Sequence, residues 1–80
     1  MYIDIYTDFL IDSNDIEGIF DLDNTTVNQT TRDFLNTKQK ENKIVYLVND
    51  IPKSFVVMRD GTVYVAELSP QILRKRFEII

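Results

Sequence analysis

The fold is decided by residues 53–66, KSFVVMRDGTVYVA. Two β-prone apolar runs, residues 55–58 and residues 62–66, stand on either side of Asp60-Gly61. Asp-Gly is among the strongest hairpin signals, because a two-residue type I′ turn requires a positive φ at both of its central residues. The stretch therefore predicts an antiparallel hairpin with a two-residue turn, and we expect the sheet to be built around it.

Further strands are predicted before this hairpin. Residues 2–6 and 9–11 are short β-prone segments, and residues 16–22 form a strand in which Gly18 indicates a bulge. Residues 44–48, IVYLV, are apolar at every position, which is typical of a strand buried on both faces. The chain thus contains five or six strands.

Two helices are predicted, one over about residues 30–42 and one that begins at Ser69-Pro70, where serine can cap the helix and proline suits its first turn. We expect an α+β fold, with a small, mainly antiparallel sheet of five or six strands and two helices. Residues 1–80 are expected to form a single domain. Two short helices cannot cover every apolar strand, so we expect a copy of the chain to cover the rest.

The composition excludes several kinds of functional site. The chain has no cysteine and no histidine, which excludes disulfides, thiolate metal sites, His-ligated zinc and His-based acid–base catalysis. No metal and no cofactor are expected. No apolar run approaches the ~18 residues of a membrane span, and the N-terminus lacks the basic region of a signal peptide. A cytoplasmic protein without a membrane partner is therefore expected.

Charge is distributed unevenly along the chain. The net charge is −4, yet residues 1–31 hold seven acidic residues and no basic one, and residues 32–80 hold all nine basic residues. One interpretation is a solvated surface of mixed charge. The other is a dipolar subunit whose basic end meets a phosphate backbone or the acidic end of a neighbour.

Four basic residues are the candidates for contact with DNA: Lys53, Arg74, Lys75 and Arg76. No glycine-rich loop precedes Lys53, so it is not part of a P-loop, and an ordinary turn lysine is its alternative interpretation. The three consecutive bases Arg74, Lys75 and Arg76 also fit the solvated end of a helix, where the helix dipole favours cations.

A motif for phosphoryl transfer is only partly present. Residues 18–25, GIFDLDNT, resemble the nucleophile motif of haloacid-dehalogenase-type phosphatases, in which the first Asp attacks phosphorus and both Asp residues help to hold Mg²⁺. Asp21 and Asp23 would take these positions. The later lysine and second acidic pair of those larger enzymes have no counterpart here. A Mg-dependent phosphatase-like site is a remote alternative, and we expect no enzymatic activity.

Several segments together resemble the Rem family of small bacterial extracellular-matrix regulators, most closely its RemB branch. They are residues 1–3 (MYI), 19–22 (IFDL), 31–35 (TRDFL), 53–57 (KSFVV) and 73–76 (LRKR), the last of which follows Tyr64 by nine residues. Their order and spacing extend over nearly the whole chain. The resemblance implies a regulator of matrix (biofilm) gene expression, active in transcription as a homo-oligomer.

The resemblance also bears on DNA binding. In the RemA branch, ring-like oligomers bind DNA through arginines in two regions, which correspond here to the turn at residues 13–15 and the loop that enters the hairpin. These places hold Asn14 and Asp15, then Ile51, Pro52 and Lys53, so only Lys53 keeps a positive charge. The resemblance thus implies self-association, with weak contact to the backbone of double-stranded DNA. The alternative is a protein–protein adaptor whose bases meet an acidic protein partner.

Overall fold

The computed structural model describes residues 1–22 and 29–78, which contain six strands and two helices. In chain order the elements are β1 (Tyr2–Tyr6), β2 (Phe9–Asp12), β3 (Ile16–Asp21), α1 (Gln29–Lys40), β4 (Ile44–Leu47), β5 (Ser54–Met58), β6 (Val63–Ala66) and α2 (Pro70–Glu78). The predicted α+β class is confirmed. The prediction of one sheet of five or six strands is wrong, because the strands form one sheet of two and another of four.

The smaller sheet consists of β1 and β2, which pair antiparallel with Ile3 opposite Ile11. Ile3, Ile5 and Ile11 are buried and pack with Val56 of β5 and Leu73 of α2. The side chains of this cluster come from both sheets and from α2. The small sheet and α2 therefore cover the same face of the larger sheet.

The larger sheet has the strand order β3-β5-β6-β4. β5 is antiparallel to both of its neighbours, whereas β4 joins parallel to β6. On the face opposite α2, Phe34 and Leu35 of α1 pack against the buried Phe55 and Val63. Neither helix in the described ranges is long and apolar enough to cross a membrane.

The predicted hairpin between β5 and β6 is confirmed, but its turn is longer than predicted. The Met58 N–H donates to the Thr62 carbonyl oxygen at 2.8 Å, and the Gly61 N–H donates to the Met58 carbonyl oxygen at 3.0 Å. These bonds enclose a three-residue loop in which Gly61 has a φ of +92° and Asp60 does not have a positive φ. The prediction of a two-residue type I′ turn is therefore wrong. The Asp60 carboxylate accepts a hydrogen bond from the Thr62 N–H at 2.9 Å, which stabilises the longer loop.

β4 lies at one edge of the larger sheet. Its Leu47 is buried, but Val45 and Tyr46 are 38% and 57% exposed. The prediction that residues 44–48 are buried on both faces is wrong for a single copy of the chain. β4 pairs with β6 alone, and the described elements cover only part of its surface.

β3 forms the other edge of this sheet. Its register shifts between Ile16 and Gly18, which confirms the bulge that Gly18 indicated. A Cβ atom at Gly18 would lie 2.7 Å from Cε2 of Phe20, so the glycine leaves room for that ring. The Phe20 ring in turn stacks on Phe55, with 5.0 Å between the ring centroids.

Candidate functional site

Lys53 is held at the entrance to β5 by backbone hydrogen bonds to two other segments. Its N–H donates to the Ala66 carbonyl oxygen, and its carbonyl oxygen accepts from the Leu22 N–H, each at 2.9 Å. The residue is exposed, and its ammonium group has no hydrogen bond or ion pair with the described residues. The backbone of Lys53 is thus fixed while its charge is available to a ligand.

Arg74 and Arg76 use their guanidinium groups to contact the backbone of two strands. Nη2 of Arg74 donates to the Ile19 carbonyl oxygen of β3 at 3.2 Å. Nη1 of Arg76 donates to the Asp4 carbonyl oxygen of β1 at 2.6 Å. The two arginines therefore fasten α2 to both sheets. A guanidinium has five N–H donors, so each keeps donors that could reach a phosphate oxygen.

Lys75 lies between these arginines on α2. It is exposed and has no hydrogen bond or ion pair with the described part of the chain. The predicted DNA-binding residues are thus of two kinds: Lys53 and Lys75 have unpaired charges, whereas Arg74 and Arg76 also support the fold. No hydrogen bond in the described ranges joins Lys53 to the basic residues of α2.

The loop that leads to Lys53 is organised by Glu67, a residue that sequence reasoning missed. Oε1 of Glu67 accepts hydrogen bonds from the backbone N–H groups of Asn49 and Asp50, the latter at 2.8 Å. Close by, the fully buried Ser54 donates its hydroxyl to the Leu68 carbonyl oxygen at 2.7 Å. These contacts join residues 14 to 18 positions apart, so local sequence patterns give no signal for them.

A groove of about 530 Å³ lies beside Lys53, between the loop at residues 49–53 and the start of α2. Ile51 and Ile72 line it and are 66% and 45% exposed. Asp50, Lys53 and Glu67 add charges of both signs to the same groove. Exposed apolar groups surrounded by polar ones are typical of surfaces that contact another protein.

A second groove of about 580 Å³ lies on the opposite face, between β3 and α1. Its apolar walls include Phe20, Phe34 and Phe55, and the centroids of the last two rings are 6.3 Å apart. None of the four predicted basic residues lines this groove. The sheet separates it from α2 and its arginines.

The acidic pair of the phosphatase-like motif is only partly described. Asp21 ends β3, and Asp23 lies outside the described residues. β3 is an edge strand antiparallel to β5, whereas the phosphatase motif belongs to a doubly wound α/β fold. Within residues 1–22 and 29–78, no three carboxylates are placed to hold a metal ion.

Among the described residues two carboxyl groups have lowered pKa values: Asp60 in the hairpin loop and Asp12 at the end of β2. A hydrogen bond from the Thr62 N–H holds the pKa of Asp60 below its ordinary value. The Asn14 N–H lowers the pKa of Asp12 in the same way, and the N-terminal ammonium 3.1 Å away contributes as well. The hydrogen bonds from Thr62 and Asn14 are local, whereas the N-terminal ammonium reaches Asp12 from the start of β1. Neither carboxylate has a hydrogen bond or ion pair with Lys53, Arg74, Lys75 or Arg76.

These features define a small two-sheet α+β protein whose four predicted DNA-contact residues are divided between a loop and its last helix. No family model matches the sequence. Extracellular matrix regulatory protein B of Bacillus subtilis (strain 168) is 36% identical over 80 residues, an alignment that covers all of this chain and 94% of the relative. The chain therefore belongs to the family of Extracellular matrix regulatory protein B, and the resemblance seen in its sequence is confirmed.

Proposed function

We propose that the chain is a cytoplasmic, non-enzymatic regulator of extracellular-matrix gene expression that acts as a homo-oligomer. The observation that carries this proposal is the full-length identity of 36% to Extracellular matrix regulatory protein B. A relationship over the whole chain suits retention of the regulatory role that the relative's name states. The fold alone would not assign a function, because one fold hosts many.

Self-association is supported by apolar side chains that a single copy leaves exposed. Val45 and Tyr46 of β4 and Phe20 of β3 are all exposed. Each fully buried large apolar side chain contributes roughly 1.5–3 kcal/mol, so covering several of them favours association. An oligomer would also repeat the few basic residues of each copy.

The mechanism in transcription is contact with the backbone of double-stranded DNA. One copy offers Lys53 and Lys75 with free charges, together with the remaining donors of Arg74 and Arg76. A ring or row of copies would align these basic side chains into a positively charged stripe. Such a stripe reads the backbone and shape of DNA rather than its base edges, so binding is weak and only mildly sequence-selective.

The second candidate function is a protein–protein adaptor. It is favoured by the groove beside Lys53, where the exposed Ile51 and Ile72 lie next to charged groups. An acidic partner protein with an apolar contact residue suits this surface. In that case the basic residues of α2 contact carboxylates of the partner protein rather than phosphates of DNA.

Expression in Bacillus subtilis cells that lack Extracellular matrix regulatory protein B tests the regulatory role. We expect this chain to restore the transcripts of matrix genes, as a plasmid copy of the relative does in the control strain. A folded, well-expressed chain that restores nothing contradicts the proposal.

Fluorescence anisotropy with labelled duplex DNA separates the two mechanisms. Backbone binding weakens steeply as salt rises, because phosphate contacts release counterions. We expect binding at low salt with a linear fall of log K against log salt. An absence of binding even at low salt favours the adaptor.

A further inference from the structure

The outer edge of β4 carries free backbone groups. The Lys43 carbonyl oxygen accepts the Val63 N–H at 2.8 Å, so the backbone polar groups of Lys43 face β6. These groups alternate in direction along a strand, so those of Val45 also face β6, whereas those of Ile44 and Tyr46 face away. No described residue supplies a backbone partner on that side. β4 thus presents two N–H and two C=O groups at its edge.

The edge of β4 also lacks the features that keep sheet edges from pairing. Charged residues, prolines and bulges are the usual protections of an edge strand, and the sequence of β4, IVYL, has none of them. Its side chains Val45 and Tyr46 are exposed and apolar or aromatic. β4 therefore has the composition of an interior strand at an edge position.

The opposite edge of the same sheet is protected in three ways. β3 contains the charged Glu17, has a bulge between Ile16 and Gly18, and has its Ile19 carbonyl oxygen occupied by Arg74. Arg76 occupies the Asp4 carbonyl oxygen of β1 in the same manner. β4 is thus the unprotected edge of the larger sheet.

We propose that two copies of this chain associate through β4, which pairs antiparallel with β4 of the second copy across a twofold axis. The four-stranded sheets then join into one continuous sheet of eight strands. This inference rests on the self-association proposed above and names its surface and symmetry. A second copy fits because the free groups of β4 are self-complementary, whereas the other edge of the sheet is blocked by Arg74 and the bulge.

The geometry fixes the register of the pairing. A twofold axis normal to the sheet places the same face of both copies on the same side, so residues opposite one another must have the same side-chain direction. Placing Val45 opposite Val45 of the second copy satisfies this condition and sets Ile44 opposite Tyr46 of that copy. All the outward groups of Ile44 and Tyr46 are then used in four hydrogen bonds.

Single-cysteine variants test this register in a chain that has no cysteine of its own. Opposite residues of a non-hydrogen-bonded pair have Cβ atoms about 4.5–5.5 Å apart, near the separation that a disulfide needs. Val45→Cys should therefore form a disulfide-linked dimer on mild oxidation. Tyr46→Cys should not, because the two Tyr46 positions lie on a diagonal about 7–8 Å apart or more. Leu10→Cys, on the exposed face of β2, is the matched control and should remain unlinked. Linkage of Tyr46→Cys with none for Val45→Cys overturns the register.

Charge variants at the same position test the interface without a covalent link. Val45→Lys and Val45→Glu each place like charges opposite one another at the axis, which opposes pairing, and Lys is well tolerated at a free edge. By light scattering each variant should have half the wild-type mass or less, and an equimolar mixture of the two should regain it. Leu10→Lys should keep the wild-type mass, and circular dichroism checks that all variants are folded.

The outcomes separate this inference from the proposal on which it rests. A wild-type chain that is monomeric at micromolar concentration overturns both self-association and the β4 interface. A wild-type oligomer whose mass is unchanged by Val45→Lys and Val45→Glu overturns the β4 interface alone. Loss of mass without recovery in the mixture overturns the twofold placement of Val45.

Discussion

Nη1 of Arg76 lies 2.6 Å from the carbonyl oxygen of Asp4, which is 72 positions away in the sequence. The contact joins the last helix to the first strand, and therefore the two ends of the chain. Arg74 makes the corresponding contact to Ile19 of the larger sheet. Two side chains that the sequence analysis predicted to contact DNA thus connect α2 to both sheets.

Arg76→Ala should lower the free energy of unfolding by about 1 kcal/mol. A hydrogen bond from a charged donor contributes roughly 1.5–3 kcal/mol, and the exposure of this one to water reduces the effect. Urea unfolding measures the difference. Lys75→Ala is the matched control, since it removes a neighbouring charge that has no hydrogen bond or ion pair with a described residue, and it should change stability by no more than about 0.5 kcal/mol. Equal effects of the two variants would show that the Asp4 contact does not stabilise the fold.

Gly61→Val should destabilise the protein by about 1–3 kcal/mol, the cost of forcing a side chain into a disfavoured backbone region. Gly61 has a φ of +92°, which side chains rarely adopt. The space itself is adaptable, because an added Cβ atom would meet the flexible ends of Lys43 at 3.1 Å and Lys38 at 3.3 Å. Gly61→Asn should cost less, since asparagine tolerates positive φ better. Unfolding of Gly61→Val at the wild-type midpoint would contradict the three-residue loop.

Asp60→Asn should destabilise the protein at neutral pH and have progressively less effect in acid. Hydrogen bonds from Thr62 are the largest cause of the lowered pKa of Asp60, and the charge of Lys43 is a lesser one. A carboxyl group whose pKa is lowered by folding stabilises the protein above its ordinary value of 3.8, and that stability is lost as pH falls through the folded-state pKa.

Urea midpoints of the wild type and Asp60→Asn, measured between about pH 7 and about pH 2, follow this loss across the carboxyl titration range. The difference between the two proteins should shrink below the ordinary pKa. Lys43→Ala should reduce that difference only slightly, because the Thr62 hydrogen bonds remain. A difference that stays constant with pH would show that the Asp60 charge does not stabilise the loop.

The sequence predicts the individual strands and helices better than their arrangement. Alternation and apolar runs are local, so the strands near Tyr2, Ile16 and Phe55 are recognisable from the chain alone. Whether β2 continues into the larger sheet depends on contacts between distant residues, and the hydrophobic pattern is the same in either case. The division into two sheets therefore had no local signal.

Two details show why the local signals were incomplete. Asp60-Gly61 correctly indicated a hairpin, but the carboxylate of Asp60 bonds to the Thr62 N–H and so selects the longer loop. Residues 44–48 read as a buried strand because each is apolar, although β4 lies at an edge. An apolar run indicates a strand, and it does not report whether that strand lies inside the sheet or at its edge.

The candidate site was only partly predictable for a similar reason. A cluster such as Arg74, Lys75 and Arg76 is visible as charge, but its contacts depend on which carbonyl oxygens the fold brings within reach. Periodicity placed these residues on a helix, and the structure shows that two of them also bond to strands. Lys75, between them, has no hydrogen bond or ion pair with the described residues.

The last prediction concerns the face that contacts DNA. The double variant Lys53→Ala/Lys75→Ala should weaken binding and flatten the plot of log K against log salt by about 0.9 for each phosphate that a bound subunit no longer neutralises. It should do so without loss of stability, because neither ammonium group has a hydrogen bond or ion pair with a described residue. Arg74→Ala/Arg76→Ala should flatten the slope as well, but with reduced stability, so binding must be measured at a temperature where the variant is folded.

Lys40→Ala is the matched control for charge. Lys40 ends α1, on the face of the larger sheet opposite α2, and is exposed. Its removal changes the net charge of each copy by half as much as either double variant, so a general electrostatic effect would flatten the salt slope about half as much. We expect Lys40→Ala to keep the wild-type salt slope. If Lys53→Ala/Lys75→Ala and Arg74→Ala/Arg76→Ala both keep that slope, these residues do not contact the phosphates. If all three variants flatten it in proportion to charge, DNA responds to the field of the whole subunit rather than to a defined face.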